Sequence, residues 1–187
     1  TTTRIENKPF NLPSAKAQSL LTSPRNYLIA VYVLYLFRLT NLNHFDVPYR
    51  SVFLNQRRQA IEGQKVDRLF ASHVPLSVNA DTGQSVSTFF NTFNEQLTLT
   101  ENRYTYLADL PLRSPELRDA ELWQGRWSVA LEPEDSPVHA NADLVMVVAE
   151  DGSSHWRYDS SVLDETTIER MQNQVSVLFD SLANATS

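Results

Sequence analysis

The sequence predicts an α/β fold, a layered sandwich in which helices pack on one mostly mixed sheet. Segments with apolar residues at helical spacing alternate with short segments rich in β-branched and aromatic residues, and turn signals separate them. Hydrophobic residues make up 42% of the 187 residues and charged residues 20%, which is typical of a chain that buries a core.

The first part of the chain is predicted to end in a buried helix. Residues 1–12 form a polar lead-in, and a short amphipathic helix is predicted at 14–21. Ser23 then has the position of a helix N-cap, with Pro24 as the first helical residue, where the missing N–H removes no hydrogen bond. The helix that follows, to about Leu39, is apolar on nearly all sides, which is typical of a helix enclosed between layers.

Two strands and a helix follow the break at 41–43. Residues 45–54 are predicted to form a strand, and Pro48 should restrict it to a sheet edge or a bulge. A second strand is predicted at 69–78, followed by a turn at 79–83. The next helix carries apolar residues on one face: Val86, Phe89, Phe90, Phe93 and Leu97.

Residues 100–124 give the weakest signals. They contain a short predicted strand at 104–107 and an irregular segment at 110–115. Two further strands are predicted at 126–131 and 144–149, and a connection rich in Pro, Asp and Ser joins them.

The end of the chain has the clearest pattern. Residues 150–153 are predicted to form a hairpin turn and 155–159 its return strand. Asp164 is the predicted N-cap of a helix with one apolar face: Ile168, Met171, Val175, Leu178 and Leu182. This spacing lasts for fewer than three heptads, which favours packing on a sheet over a coiled coil.

Composition argues against several classes of function. The net charge is −6 and no Lys/Arg cluster occurs, which argues against nucleic-acid binding. Cysteine is absent, so a thiol nucleophile and a Cys-ligated zinc are excluded, and a reducing cytoplasm fits best. The longest apolar run, 27–37, has about half the length that a bilayer requires, so no membrane partner is expected.

The four histidines are the candidate bases. His44, His139 and His155 are expected to be exposed or structural, whereas His73 lies within a predicted strand and is the candidate of interest. A lone histidine in a strand is nevertheless more often a packing residue than a catalyst. Neither a nucleophile elbow nor a metal-ligand spacing occurs.

One acidic cluster is a candidate cation site. Glu132, Glu134 and Asp135 fall in a predicted loop with two prolines. A solvated connection is favoured there over a calcium site, because the ligand spacing and the glycine of a calcium loop are missing.

Three segments follow one another in the order and at about the spacing of a known family. They are the helix NYLIAVYVLYLFRLTN, the strand LFASHVPLSV, and a closing strand–turn–strand–helix with the element Tyr158-Asp159-Ser160. They resemble the C-terminal lobe of the condensation domains of nonribosomal peptide synthetases, so the whole chain, 1–187, is interpreted as such a lobe. Ser72-His73 stands where the family has Asn-Thr.

The resemblance implies a chloramphenicol-acetyltransferase-like fold in which two lobes enclose a tunnel. There an acceptor amine attacks a donor acyl thioester, each tethered to a carrier-protein domain by a phosphopantetheine arm, and an amide forms. No cofactor is expected to bind directly. The family's His-His-x-x-x-Asp-Gly motif belongs to the N-terminal lobe, the expected partner, and nothing in this chain matches it. No catalytic residue and no activity are therefore expected from this chain alone.

The resemblance also assigns regions to the tunnel. Residues 46–66 would form its floor, 132–141 a latch to the other lobe, and Phe53, Ser72 and His73 part of its lining. Two alternatives remain open: a non-catalytic docking domain, and a lobe of a coenzyme A-dependent O-acyltransferase. A separate lobe is also expected to expose an apolar face where its partner packs.

Overall fold

The computed structural model describes residues 4–10, 23–50, 53, 56, 70–81, 83–103, 109–114, 126–134 and 141–185. Within these residues the strands are β1 Ile5–Phe10, β2 His44–Tyr49, β3 Val74–Asn79, β4 Trp127–Pro133, β5 Ala142–Val148 and β6 Ser154–Asp159. The helices are α1 Pro24–Thr40, α2 Val86–Arg103, α3 Leu110–Arg113 and α4 Glu165–Ala185.

The six strands form one mixed sheet in the order β1-β6-β5-β4-β2-β3. The pairs β4–β5 and β2–β4 are parallel, and the other three pairs are antiparallel. The long helices share one continuous hydrophobic core with the sheet. The predicted α/β sandwich is therefore confirmed.

The predicted ends of α1 are confirmed by its capping contacts. Ser23 has an extended backbone, and its Oγ accepts a hydrogen bond from the N–H of Asn26 at 3.5 Å, while Pro24 occupies the first turn. At the other end Asn41 adopts a left-handed conformation with φ 55°, and its N–H donates to the carbonyl of Phe37.

Helix α1 lies at the centre of the molecule, as its apolar pattern predicts. It contacts α2, α4 and β5, and most of its side chains are buried. The ring of Tyr27 stacks on Phe90 at 5.3 Å and meets the edge of Phe179 at 5.4 Å. Each such aromatic pair contributes about 0.5–1.5 kcal/mol to stability beyond the burial of its surface. Through these two contacts Tyr27 links all three long helices.

The two amphipathic helices present the predicted faces. In α2 the predicted residues Phe89, Phe90, Phe93 and Leu97 are buried, and Val86 is partly buried against the core. In α4 the predicted residues Ile168, Val175, Leu178 and Leu182 are buried, with Met171 partly buried. The predicted N-cap of α4 is also confirmed, because Asp164 Oδ1 accepts a hydrogen bond from the N–H of Thr167 at 2.6 Å.

The predicted polar lead-in contains an edge strand of the sheet. β1 pairs antiparallel with β6, and its side chains alternate between the helix face and the opposite face. On the helix face Phe10 is buried 5.5 Å from the ring of Trp156, and Lys8 Nζ pairs with Glu165 and Glu169 of α4 at 2.8 and 2.7 Å. These contacts hold a polar segment in the sheet, although its sequence has no pattern that predicts a strand.

The expectation that Pro48 marks a sheet edge is wrong. β2 lies inside the sheet, between β4 and β3. The N–H of Ala80 donates to the carbonyl of Asn43, and alternation along the ladder makes Pro48 and Pro75, which are register partners, a non-hydrogen-bonded pair. Neither proline ring therefore removes a hydrogen bond between β2 and β3, and the register with β4 begins only at the next residue, Tyr49.

Other predicted bounds shift by a few residues. The third strand begins at Val74 rather than at 69, and the segment predicted to be irregular at 110–115 contains the single helical turn of α3. The predicted helix at 14–21 and the predicted strand at 104–107 lie outside the described residues.

The sheet face opposite the helices carries a second apolar cluster, and it is buried. Its members are Ala130, Ala142, Val145 and Val147, with Trp127 packed against them. The expected bare apolar face is thus not seen at these positions. The large apolar side chains that the described residues do expose are scattered: Ile5, Leu39, Leu42, Phe53, Leu99, Val162 and Val177. Within the described part of the chain, no helix has the length and apolar character needed to cross a bilayer.

Candidate functional site around His73

Four polar side chains form a connected network on the sheet face opposite the helices. Ser72 Oγ lies 3.0 Å from His73 Nδ1, and His73 Nε2 lies 2.9 Å from Glu132 Oε1. Arg157 Nη2 donates to the second oxygen of Glu132 at 2.7 Å. These four residues, called the His73 network below, join the segment before β3 to β4 and β6.

Glu132 lies in a strand and not in the predicted solvated loop. β4 runs on to Pro133, and alternation places Leu131 in the core and Glu132 on the opposite face. The side chains of Glu132 and His73 have no exposed surface. A buried carboxylate is costly unless it is paired, which explains why both of its oxygens have cationic or imidazole donors.

The network keeps Glu132 ionised. Burial alone would raise the pKa of this carboxyl, but the hydrogen bonds from His73 and Arg157 and the charge of Arg157 outweigh burial and lower the pKa to about 2. Glu132 is therefore an acceptor at neutral pH. In the tautomer of His73 that donates from Nε2 to Glu132, Nδ1 accepts the hydrogen bond from the hydroxyl of Ser72.

Neighbouring groups restrict the imidazole and the serine. The ring of Trp127 meets the His73 ring at a centroid distance of 4.9 Å. Arg50 Nη1 donates to the main-chain carbonyl of Ser72 at 3.3 Å. Of the series Ser72, His73 and Glu132, only Ser72 is partly exposed, so it is the member that a ligand can reach.

A groove of about 530 Å³ adjoins the network at Arg157. It is lined by Asn7, Pro9, Glu134, Val147, His155 and Arg157. The sheet register produces this lining, since Asn7 is the cross-strand partner of Arg157 and Pro9 that of His155. Burial lowers the pKa of His155, so its imidazole is neutral at pH 7. His155 therefore lines a groove, although the sequence predicted a surface position.

The other predicted positions are less informative. Phe53 is half exposed, so its predicted part in the lining stays a prediction. His44 is exposed and contacts Asn79 Oδ1 through Nδ1 at 2.8 Å, as expected for a structural histidine. His139 lies outside the described residues, as do most of the predicted floor at 46–66 and residues 135–140 of the predicted latch.

A second buried polar cluster lies within the core between the helices and β2. Arg25 Nη2 is 3.0 Å from Glu101 Oε1, and the hydroxyl of Tyr49 donates to the same oxygen at 2.6 Å and contacts Arg25. Burial disfavours the guanidinium, but Tyr49 and Glu101 outweigh it and raise the pKa of Arg25. Since the opposite charges of Arg25 and Glu101 pair with each other in the interior, we interpret this cluster as structural.

Sequence reasoning found His73 and Ser72 but missed Glu132 and Arg157. A weak signal existed, because Glu132 continues the period-two pattern of β4 and Arg157 alternates with the core residues Trp156 and Tyr158. Because Pro133 follows Glu132, the sequence predicts a loop there rather than the end of a strand. Among the described residues, no group of three His, Asp or Glu is placed to hold a metal ion.

Comparison with known proteins places this architecture in one fold. No protein-family model and no curated protein matches the chain. Among solved structures, it is similar to the starter condensation domain of the rhizomide synthetase RzmA, with a TM-score of 0.56 and 14% identity. A mutant of that domain in complex with C8-CoA gives a TM-score of 0.64 at 10% identity. A protein described as CT gives 0.62 at 12% identity.

These matches cover nearly all of this chain but less than half of each structure. The alignment takes in 98% of the chain and 46% of the RzmA domain, 98% and 46% for its C8-CoA complex, and 97% and 45% for CT. The chain therefore has the fold of about half of a condensation domain. The resemblance to one lobe that the sequence indicated is confirmed at the level of fold.

Proposed function

We propose that this chain is one lobe of a condensation-type domain of a nonribosomal peptide synthetase. Together with a second lobe, it would form an amide bond between a donor acyl thioester and an acceptor amine, both bound to carrier proteins. The observation that carries the proposal is the match of almost the whole chain to about 46% of the RzmA starter condensation domain, with and without C8-CoA. That proportion supports a partner lobe of similar size.

The division of labour follows from the residues that this chain holds. It contains no pair of adjacent histidines, so the imidazole that handles the amine proton would come from the partner lobe. This lobe would supply walls that hold two tethered reactants within reach of each other. Such positioning is worth about 7–11 kcal/mol of barrier in favourable cases.

Particular segments of this chain would meet the substrates. Phe53, Ser72 and His73 would line the tunnel, and the phosphopantetheine arms of the carrier proteins would run along it. Residues 46–66 would form the floor and 132–141 the latch to the partner lobe. The partly exposed hydroxyl of Ser72 beside a buried imidazole supports a polar wall at that point.

A coenzyme A thioester is the alternative donor. A mutant RzmA starter condensation domain was solved in complex with C8-CoA, and its fold is similar to that of this chain. A lobe of a coenzyme A-dependent O-acyltransferase is therefore the second candidate. A non-catalytic docking domain is the third, since one fold hosts several activities.

The test begins with the coding sequence upstream of Thr1, where the proposal expects His-His-x-x-x-Asp-Gly. The full-length protein is then incubated with octanoyl-loaded donor carrier and aminoacyl-loaded acceptor carrier, and amide products are measured by mass spectrometry. We expect an amide that disappears when the second histidine of that motif is changed to alanine.

Two controls separate the alternatives. The 187-residue chain alone should form no amide. An ester formed from octanoyl-coenzyme A and an alcohol, without an amide, would contradict the proposal in favour of an O-acyltransferase. Carrier binding without any product, in a protein that lacks the histidine pair, would contradict it in favour of a docking domain.

A further inference from the structure

We propose that Ser72 is a second acyl-transfer site, a nucleophile that takes an acyl group from a thioester and releases it to water. His73 is its base, and Glu132 orients the imidazole. The choice of a thioester as the acyl donor rests on the proposed function. The reactivity of Ser72 rests on the His73 network alone.

The geometry has the connectivity of a nucleophile, a base and an orienting acid. The hydroxyl, the imidazole and the carboxylate of Ser72, His73 and Glu132 follow one another at 3.0 and 2.9 Å. Both distances lie within the 2.6–3.2 Å that general-base activation requires. Such a series is recognised by its geometry and roles rather than by its positions in the sequence.

The proton positions favour activation of the serine. In the neutral tautomer of His73 that donates from Nε2 to Glu132, the lone pair on Nδ1 faces the Ser72 hydroxyl. When Nδ1 takes up the serine proton, the resulting imidazolium lies against an ionised carboxylate in a buried site, where their attraction is strong. Glu132 is therefore a positioning residue, and it also stabilises the charge that forms on His73.

The surroundings hold the series in place and leave one end accessible. Trp127 packs on the His73 ring, Arg157 holds the second oxygen of Glu132, and Arg50 holds the carbonyl of Ser72. His73 and Glu132 are buried, whereas Ser72 is partly exposed. A substrate can therefore reach only the hydroxyl end of the series.

The reaction has two steps. In the first, Ser72 Oγ attacks the thioester carbonyl while its proton passes to His73 Nδ1; the C–S bond breaks, and the thiol leaves with that proton. In the second, water attacks the acyl ester and gives its proton to Nδ1, the bond from the acyl carbon to Oγ breaks, and Oγ regains a proton. The products are a free acid and a thiol, and water is the only co-reactant.

The first experiment looks for the acyl-enzyme. The full chain is treated with a fluorophosphonate probe and, separately, with the octanoyl thioester of N-acetylcysteamine, and the modified peptide is identified by mass spectrometry. We expect one adduct, on Ser72, that is absent from the Ser72→Ala variant. Absence of an adduct on Ser72 in the wild-type chain would overturn the proposal.

A matched serine provides the control. Ser77 Oγ donates to the carboxylate of Asp46 at 2.6 Å, and it makes no contact with an imidazole of the described residues. The Ser77→Ala variant should therefore label and hydrolyse the thioester as the wild type does. Hydrolysis that is equal in Ser72→Ala and in the wild type would also overturn the proposal.

The base is tested by His73→Gln. The hydrolysis rate should fall about 10²–10⁴-fold, the range expected when a general base is lost. If this variant does not fold, the labelling rate of the wild type is followed against pH. A purely structural network predicts labelling no faster than that of a free serine at every pH, and that result would refute activation. Neither the labelling assay nor the hydrolysis assay contains an amine or a carrier protein. A negative result in these assays is therefore distinguishable from a failure to form the amide.

Discussion

Glu132 Oε1 lies 2.9 Å from His73 Nε2, and neither side chain is exposed to solvent. This contact joins the end of β4 to the residue that precedes β3, across the end of β2. A buried charge that loses its partner costs far more than a surface charge, because no water replaces the partner. The His73 network should therefore determine part of the stability as well as the reactivity of this face.

The stability of the protein should fall in acid because of Glu132. Its pKa of about 2 in the folded protein lies below the ordinary value of 4.5, so the stabilisation is present above pH 4.5 and is lost as the pH falls towards 2. The difference corresponds to roughly 3 kcal/mol. Urea unfolding at pH 7, 5, 4 and 3 should show this loss, and Glu132→Gln should flatten it.

The groups that face Glu132 set the control for this experiment. Among the described residues they are His73 and Arg157, with His155 and Glu134 lining the adjoining groove. All four side chains are unchanged in the Glu132→Gln variant. An equally steep acid loss in the variant and the wild type would therefore assign the effect to these or other groups and contradict the prediction.

The ion pair between Arg25 and Glu101 should be the most sensitive polar contact of the core. Glu101→Ala removes the buried carboxylate from the guanidinium of Arg25 and leaves only the exposed Glu150, 3.4 Å away, which should cost up to about 3–5 kcal/mol in the free energy of unfolding. Glu95→Ala, at an exposed position of the same helix, should change it by less than about 0.5 kcal/mol. Similar losses in the free energy of unfolding for the two variants would contradict the prediction.

The hairpin between β5 and β6 should not tolerate a side chain at Gly152. Its φ is 84°, and an added Cβ would lie 2.9 Å from the Cβ of Pro24 at the start of α1. Gly152→Ala should therefore cost at least about 1–3 kcal/mol. At Gly83 an added Cβ would make only an ordinary contact, 3.6 Å from Asp81 Oδ1. Thermal unfolding that is unchanged in Gly152→Ala would contradict the prediction.

Substitutions of two valines on α4 should distinguish the contribution of packing to stability from that of helix propensity. Val175 is fully buried, whereas Val177 is 66% exposed. Val175→Ala should cost about 2 kcal/mol, because it removes two buried carbons and leaves a cavity. Val177→Ala should be neutral or slightly stabilising, since alanine has the higher helix propensity. Chemical denaturation of both variants measures the difference, and equal effects would count against the orientation of α4.

Local signals explain the parts of the fold that were predicted correctly. The ends of α1 depend on Ser23, Pro24 and Asn41, and these residues interact with neighbours only a few positions away in the chain. The apolar faces of α2 and α4 and the turn between β5 and β6 are likewise properties of short segments. In these places periodicity and capping are sufficient.

The errors fall where the environment of a residue depends on distant segments. β1 is a strand because β6, about 150 residues later, supplies its partner. Pro48 is tolerated inside the sheet because it is a non-hydrogen-bonded partner of Pro75 in β3 and because the register with β4 begins only at Tyr49. Neither partner can be read from the segment itself.

The amino-acid sequence alone determined the α/β class, the positions, apolar faces and caps of helices, and the likeness to a condensation-domain lobe. Tertiary structure alone decided that Glu132 is buried, that it binds His73 and Arg157, and that Ser72 is the accessible end of the series. The reason is physical. Helix and turn signals arise from interactions within a few residues, whereas the state of a buried carboxylate depends on donors that strand pairing brings from elsewhere in the chain.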